Sequence, residues 1–116
     1  MNKKLIVVKT QFEAIHCWPE CPIEDVSFLK HPHRHVFYVT AKWEVQHNDR
    51  DKEFIDMKRA LTNFCVELVK SQNGNLGRAS CEDIADLIHT RYPDCCFVSV
   101  FEDNENGVEA YYENKD

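Results

Sequence analysis

The sequence has little of what membrane, fibrous and nucleic-acid-binding proteins require. No apolar run approaches the ~20 residues that cross a bilayer, and the apolar stretch near the amino terminus is too short for a signal peptide. Only 3 glycines and 4 prolines occur in 116 residues, which excludes a collagenous chain. The 14 lysines and arginines are outnumbered by 20 acidic residues, so no surface for nucleic acid is expected. We therefore expect a cytoplasmic protein.

The remaining composition is that of a globular domain. Hydrophobic residues make up 43% and charged residues 29% of the chain, and a chain of this length corresponds to a single domain covering residues 1–116. Without a secretion signal, the cysteines are predicted to be reduced thiols. These residues are Cys17, Cys21, Cys65, Cys81, Cys95 and Cys96.

Alternating apolar and polar residues predict two strands in the first part of the chain. Residues 5–16 are rich in β-branched side chains and form the first predicted strand. Residues 17–30 contain Pro19 and Pro22 and are predicted to form an irregular loop. From His35 onward the alternation is regular. The side chains that should share one face there are Phe37, Val39, Ala41, Trp43 and Val45.

Three- and four-residue spacing of apolar side chains predicts two helices in the middle of the chain. Asp56 is the expected N-cap of the first helix. Ser80 is the expected N-cap of the second, which should end before Pro93. The apolar face predicted for the first helix consists of Phe54, Met57, Leu61, Phe64 and Leu68.

The last part of the chain predicts a β-hairpin. Residues 95–101 and 108–112 have strand composition, and Asn106 followed by Gly107 is typical of a tight hairpin turn. The predicted order of elements is therefore β-β-α-α-β-β, which is an α+β fold.

Four of the six histidines lie near the ends of the first two strands. His33 and His35 are separated by one residue, so on a strand their rings would lie on the same face and could bind one ion together with His16. Three imidazoles that leave a fourth position open are typical of catalytic zinc. Two alternatives stay open, namely a surface cluster of histidines without metal and a ligand pair formed by His31 and His33.

Five segments together resemble the 6-pyruvoyl- and 6-carboxy-tetrahydropterin synthase family. Residues 12–16 and 33–37 resemble its "F-x-A-x-H … H-G-H-x-Y/F" signature. Residues 54–58 and 80–85 resemble the "D-F-x-D-L-K" and "P-T-x-E-x-x-A" starts of its two helices. Residues 98–102 resemble the strand that ends in its ligand-binding glutamate. The similarity runs in order along nearly the whole chain.

The resemblance implies the tunnelling fold, in which a four-stranded antiparallel sheet carries two helices on one face and subunits assemble, usually into hexamers. It implies Zn²⁺ held by His16, His33 and His35, and a pterin- or purine-like ligand held by Glu102. A carboxylate can accept two parallel N–H bonds from such a ring. The implied activity is that of a lyase in pterin or 7-deazaguanine biosynthesis, acting on a dihydroneopterin triphosphate-like substrate. The alternative is a zinc protein of this fold that binds a pterin- or guanine-like ligand without turnover.

The acid-base residues of that family are not matched. The position of its proton-transferring cysteine, four residues before the first histidine of the pair, is Leu29, or Ser27 in the alternative histidine register. No Asp-His pair follows the first helix. We predict that Cys21 replaces the missing thiol, with Cys17 and the loop acids Glu20, Glu24 and Asp25 as alternatives.

Overall fold

Four strands and two α-helices occur in residues 2–113, the part of the chain that the computed structural model describes. A 3-10 segment, Glu24–Lys30, lies in the loop between the first two strands and is interrupted at Val26. The strands and α-helices are β1 (Lys4–His16), β2 (His33–Val45), α1 (Phe54–Ser71), α2 (Cys81–Arg91), β3 (Phe97–Glu102) and β4 (Asn106–Tyr111).

The four strands form one antiparallel sheet in the order β1-β2-β3-β4. β1 and β2 pair along their full length, ending with His16 opposite His33. β3 pairs with the inner part of β2 and places Glu102 opposite Phe37. The predicted α+β architecture, with the order β-β-α-α-β-β, is confirmed.

Both helices pack on the same face of the sheet, with α1 on β1 and α2 on β3 and β4. The face predicted for β2 is confirmed, since four of its five members are buried there. On α1, Leu61 is buried, but the prediction for Phe54 is wrong. Phe54 is 55% exposed, because it is the first helical residue and lies beside Lys4 and Leu5 at the open end of the sheet. The strand side chains of the core include Val8, Phe12, Phe37, Val39, Ala41, Trp43, Val98 and Val100.

The start of α1 differs from the prediction, whereas the start of α2 agrees with it. Glu53, not Asp56, is the N-cap of α1, because its carboxylate accepts from the N–H groups of Ile55 and Asp56 at 3.1 and 3.0 Å. At α2, the Ser80 hydroxyl accepts from the Asp83 N–H and the Asp83 carboxylate accepts from the Ser80 N–H, which is a capping box.

The turn between β3 and β4 lies three residues before the predicted position at residues 106–107. Asp103 and Asn104 occupy it with φ angles of 53° and 58°, and the N–H of Glu105 donates to the carbonyl of Glu102 at 3.0 Å. Aspartate and asparagine tolerate this left-handed conformation better than other residues with side chains. The turn can therefore form without a glycine.

Gly107 has a different role from the predicted one, because it lies within β4 opposite Phe101. A Cβ atom at this position would lie 2.2 Å from the Val100 carbonyl oxygen and 2.5 Å from the Phe101 Cα. The close approach of the two backbones therefore requires glycine here.

The second face of the sheet carries no helix or strand from residues 2–113. Several apolar side chains on this face are exposed, among them Leu5, Val7, Ile15 and Tyr111. Phe97 is covered within the chain, because the Lys42 ammonium lies 4.3 Å from its ring centre and the Tyr111 ring packs edge-on against it.

Two further predictions concern cysteines and membranes. All six cysteines are free, as predicted. Among residues 2–113, no helix combines the length and apolar composition that a membrane crossing requires. The cytoplasmic location stays a prediction.

Candidate metal site and cavity

The pairing of β1 with β2 brings three of the predicted site residues together at one end of the sheet. His16, the last residue of β1, lies directly opposite His33, the first residue of β2. His35 is two residues further along β2, so strand alternation places its side chain on the same face. This is the register with His33 and His35. His31 lies before the strand and contributes only its main-chain carbonyl, which accepts from His33.

The three imidazole rings surround one point. Their ring centres are 4.7 to 5.3 Å apart and the ring planes meet at 70° to 82°. One ligand nitrogen from each ring lies within 4.8 Å of the other two. Bound zinc would bring such nitrogens to about 3.3 Å, given Zn–N bonds of about 2.0–2.1 Å. Small side-chain rotations close that difference, so the cluster can hold a metal ion.

Each of the three rings is oriented by a hydrogen bond at Nδ1. His16 donates to the Ala79 carbonyl at 2.8 Å and His33 to the His31 carbonyl at 2.8 Å. His35 Nδ1 lies 2.6 Å from a carboxylate oxygen of Asp103. Because all three acceptors lack protons, each ring carries its proton on Nδ1 and offers the lone pair of Nε2. Metal-binding histidines usually have such partners.

The loop between α1 and α2 provides the acceptor for His16. This loop runs beside the end of β1, where the Leu76 N–H donates to the Ile15 carbonyl and the Cys17 N–H donates to the Gly77 carbonyl. These two bonds hold the following carbonyl, that of Ala79, against the His16 ring.

The surroundings of the His16 Nε2 atom favour a proton or a metal ion beside it. His16 is 7% exposed, and its Nε2 atom makes no hydrogen bond with any residue in 2–113. A Glu102 carboxylate oxygen lies only 2.9 Å away, yet a lone pair and a carboxylate repel each other at that distance. A proton or a metal ion between them removes the repulsion. The donor set of three imidazoles is one that zinc accepts.

His16, His33 and Glu102 border a cavity of about 510 Å³. Trp18 and Leu29 form an apolar wall, and the first turn of α2, with Glu82 and Asp83, forms a polar one. The Glu102 side chain is 30% exposed and has its second oxygen 3.6 Å from His35 Nε2. Its carboxylate can therefore reach both the histidines and a ligand in the cavity.

The predicted proton carrier Cys21 is not among the residues that line this cavity. Its buried Sγ atom lies instead 3.7 Å from the carbonyl oxygens of Ile23 and Val26, either of which can accept its one proton. The catalytic role of Cys21 stays a prediction. Among the alternatives, Cys17 does line the cavity, whereas the loop acids Glu20, Glu24 and Asp25 do not.

Cys81 is a cavity residue that the sequence analysis did not single out. It is the first residue of α2 and borders the cavity beside Glu102. Burial raises the pKa of its thiol to about 12, and the negative charges of Glu102 and Glu82 contribute. No local pattern marked it, because Cys81 reaches the cavity only through the packing of α2 on β3.

Leu29 lines the cavity at the position where the resemblance to tetrahydropterin synthases predicts a cysteine. Its side chain forms part of the wall together with His33 and Trp18. The leucine that replaces the expected cysteine therefore lines the cavity. A leucine cannot transfer a proton.

The sequence matches no protein-family model, and it matches no curated protein. The resemblance to tetrahydropterin synthases therefore stays a prediction, and the fold and the histidine cluster are the observations on which a function has to be argued.

Proposed function

We propose that this chain is a zinc-dependent, tetrahydropterin synthase-like lyase that acts on a dihydroneopterin triphosphate-like substrate. The observation that carries the proposal is the arrangement of three imidazole rings around one point, beside a carboxylate that borders an open cavity. The order of the elements and the five matching segments support it as well.

His16, His33 and His35 would hold the zinc ion through Nε2. When bound there, zinc supplies a Lewis acid that lowers the pKa of a substrate hydroxyl group. The protein keeps the three rings in the required tautomer through their Nδ1 bonds. Trp18 and Leu29 would provide an apolar side of the cavity.

Glu102 would hold the flat ring of the substrate. Two oxygens of one carboxylate match two adjacent N–H donors of an amino-pyrimidinone, and hydrogen bonds to a charged group are stronger than neutral ones. Glu102 ends β3 next to a tight turn, so its backbone is fixed. A ring held there would extend into the cavity next to the histidines.

A protein that binds the same class of ligand without turnover is the second candidate. Leu29 favours it, because an aliphatic side chain stands in the cavity where a proton-transferring thiol is expected. Cys21 does not line the cavity, and its thiol faces the main-chain carbonyls of Ile23 and Val26.

Incubation of the zinc-loaded full chain with dihydroneopterin triphosphate tests the proposal. Chromatography that detects a 6-substituted tetrahydropterin as product supports the lyase. Saturable binding without product supports the second candidate and rejects the lyase. If neither binding nor product formation is observed, both candidate functions are rejected.

Glu102→Gln is expected to weaken binding of the pterin about 10-fold to 100-fold, because a glutamine offers one acceptor oxygen and no charge. Calorimetric titration measures this. Zinc content should not change, since the three histidines are intact. Glu105→Gln is the matched control, as an exposed acid in the same turn. Equal affinity of Glu102→Gln and the control would contradict the role of Glu102.

We also propose that the chain forms a homo-oligomer, a hexamer by resemblance. The uncovered face of the sheet, with exposed Leu5, Val7 and Tyr111, supports this, because apolar sheet faces normally pack against another layer. Sedimentation velocity of the purified protein should give a particle several times larger than 13.7 kDa. A single species of one chain at micromolar concentration would overturn this part of the proposal.

A further inference from the structure

Asp103 makes the closest of the three contacts that orient the histidines. One of its carboxylate oxygens lies 2.6 Å from His35 Nδ1, and the other accepts from the Val36 N–H at 3.0 Å. The Asp103 N–H donates to the Val36 carbonyl at 2.7 Å. The left-handed conformation of Asp103 directs its side chain back onto β2.

His35 differs from the other two histidines in the kind of partner it has. His16 and His33 donate to main-chain carbonyls, which remain after most substitutions. His35 depends on a side chain, and that side chain belongs to the turn between β3 and β4. This acid directly follows Glu102, so the proposed ligand-binding residue and the partner of His35 are neighbours at the same turn.

We infer that Asp103 is a positioning residue that fixes the rotamer and tautomer of His35 for binding a divalent metal. This inference rests on the proposed metal site. A carboxylate at Nδ1 keeps the ring proton there, so Nε2 offers its lone pair, and it makes the ring a better donor to the metal. Such partners, when mutated, cost about 10-fold to 100-fold in metal affinity.

The substitution Asp103→Asn separates this role from a structural one. The asparagine has nearly the same shape but only one acceptor oxygen. If this oxygen keeps the bond from the Val36 N–H, the amide NH₂ group faces His35 and donates to Nδ1. The ring proton then moves to Nε2, which can no longer bind the metal.

Asp103→Ala should have a smaller effect than Asp103→Asn. The Asp103 side chain is 46% exposed, so water can take the place of the carboxylate and accept from Nδ1. The ring then loses its fixed orientation without being forced into the other tautomer.

Zinc affinity and the His35 tautomer are the two measurements. A chelator competition should give a zinc dissociation constant raised about 10-fold to 100-fold in Asp103→Asn. Long-range proton–nitrogen NMR spectra of the metal-free full chain should show the His35 proton on Nδ1 in the wild type and on Nε2 in Asp103→Asn. Asp49→Asn, an exposed acid in the loop after β2, controls for the loss of one charge.

The outcomes separate this inference from the metal site itself. Wild-type zinc affinity in both Asp103 variants overturns it. Reduced affinity with an unchanged His35 tautomer in Asp103→Asn overturns it too, because the residue then acts on the fold of the turn. A wild-type chain that binds no zinc would reject the proposed function, and the tautomer measurement would still decide whether Asp103 controls His35.

Discussion

Zinc content is expected to fall from about one ion per chain to almost none in His16→Ala. The remaining two histidines lie on β2 and cannot surround an ion by themselves. His16 also contributes the most buried of the three rings, so its loss removes the ligand best shielded from competing water. Elemental analysis of the purified protein, after dialysis against zinc-free buffer, measures the effect.

His31→Ala is the matched control for this result. His31 is an exposed histidine close to the site, and only its main-chain carbonyl contacts His33. The substitution should therefore leave one zinc ion per chain. Full zinc content in His16→Ala, or an equal loss in His31→Ala, would show that the metal is bound elsewhere or in the alternative register.

Phe37→Ala is expected to lower the free energy of unfolding by about 3–5 kcal/mol, the usual cost of truncating a buried aromatic residue. Phe37 has no exposed surface. Its ring stacks on Phe12 at 5.3 Å and contacts the rings of His16 and His35 at 5.2 and 6.0 Å. The cavity left behind would loosen two of the three histidines, so zinc affinity should also fall. Urea unfolding in the presence of a chelator isolates the contribution of the fold.

Phe28→Ala serves as the control for Phe37→Ala, because Phe28 is 65% exposed in the 3-10 segment. A change within about 0.5 kcal/mol is expected there. Comparable losses in the two variants would mean that Phe37 does not form part of the core as described.

Local patterns in the sequence were enough to predict the order of the elements and two of the three clustered histidines. The alternation after His35 gave the buried face of β2, and Ser80 gave the start of α2, because both depend on neighbours within a few residues. The spacing of His33 and His35 placed two imidazoles on one face. His16 required the additional assumption that β1 and β2 are neighbouring strands, and their pairing confirms it.

Other features could not be predicted because they depend on contacts between distant residues. The turn lies at Asp103 because the β2-β3 register brings this residue next to Val36. This pairing outweighs the local turn preference of residues 106–107. Glu53 caps α1, although aspartate is the better N-cap by statistics.

The sequence by itself determined which residue types were available: three imidazoles, a carboxylate at the end of β3 and strands of the right length to carry them. Only the tertiary structure decided what surrounds them. The Ala79 carbonyl, the Asp103 carboxylate and the Cys81 thiol reach the site from loops and a helix far away in the chain. The packing of the helices on the sheet places Ala79 and Cys81, and the β2-β3 register places Asp103. No local pattern encodes either.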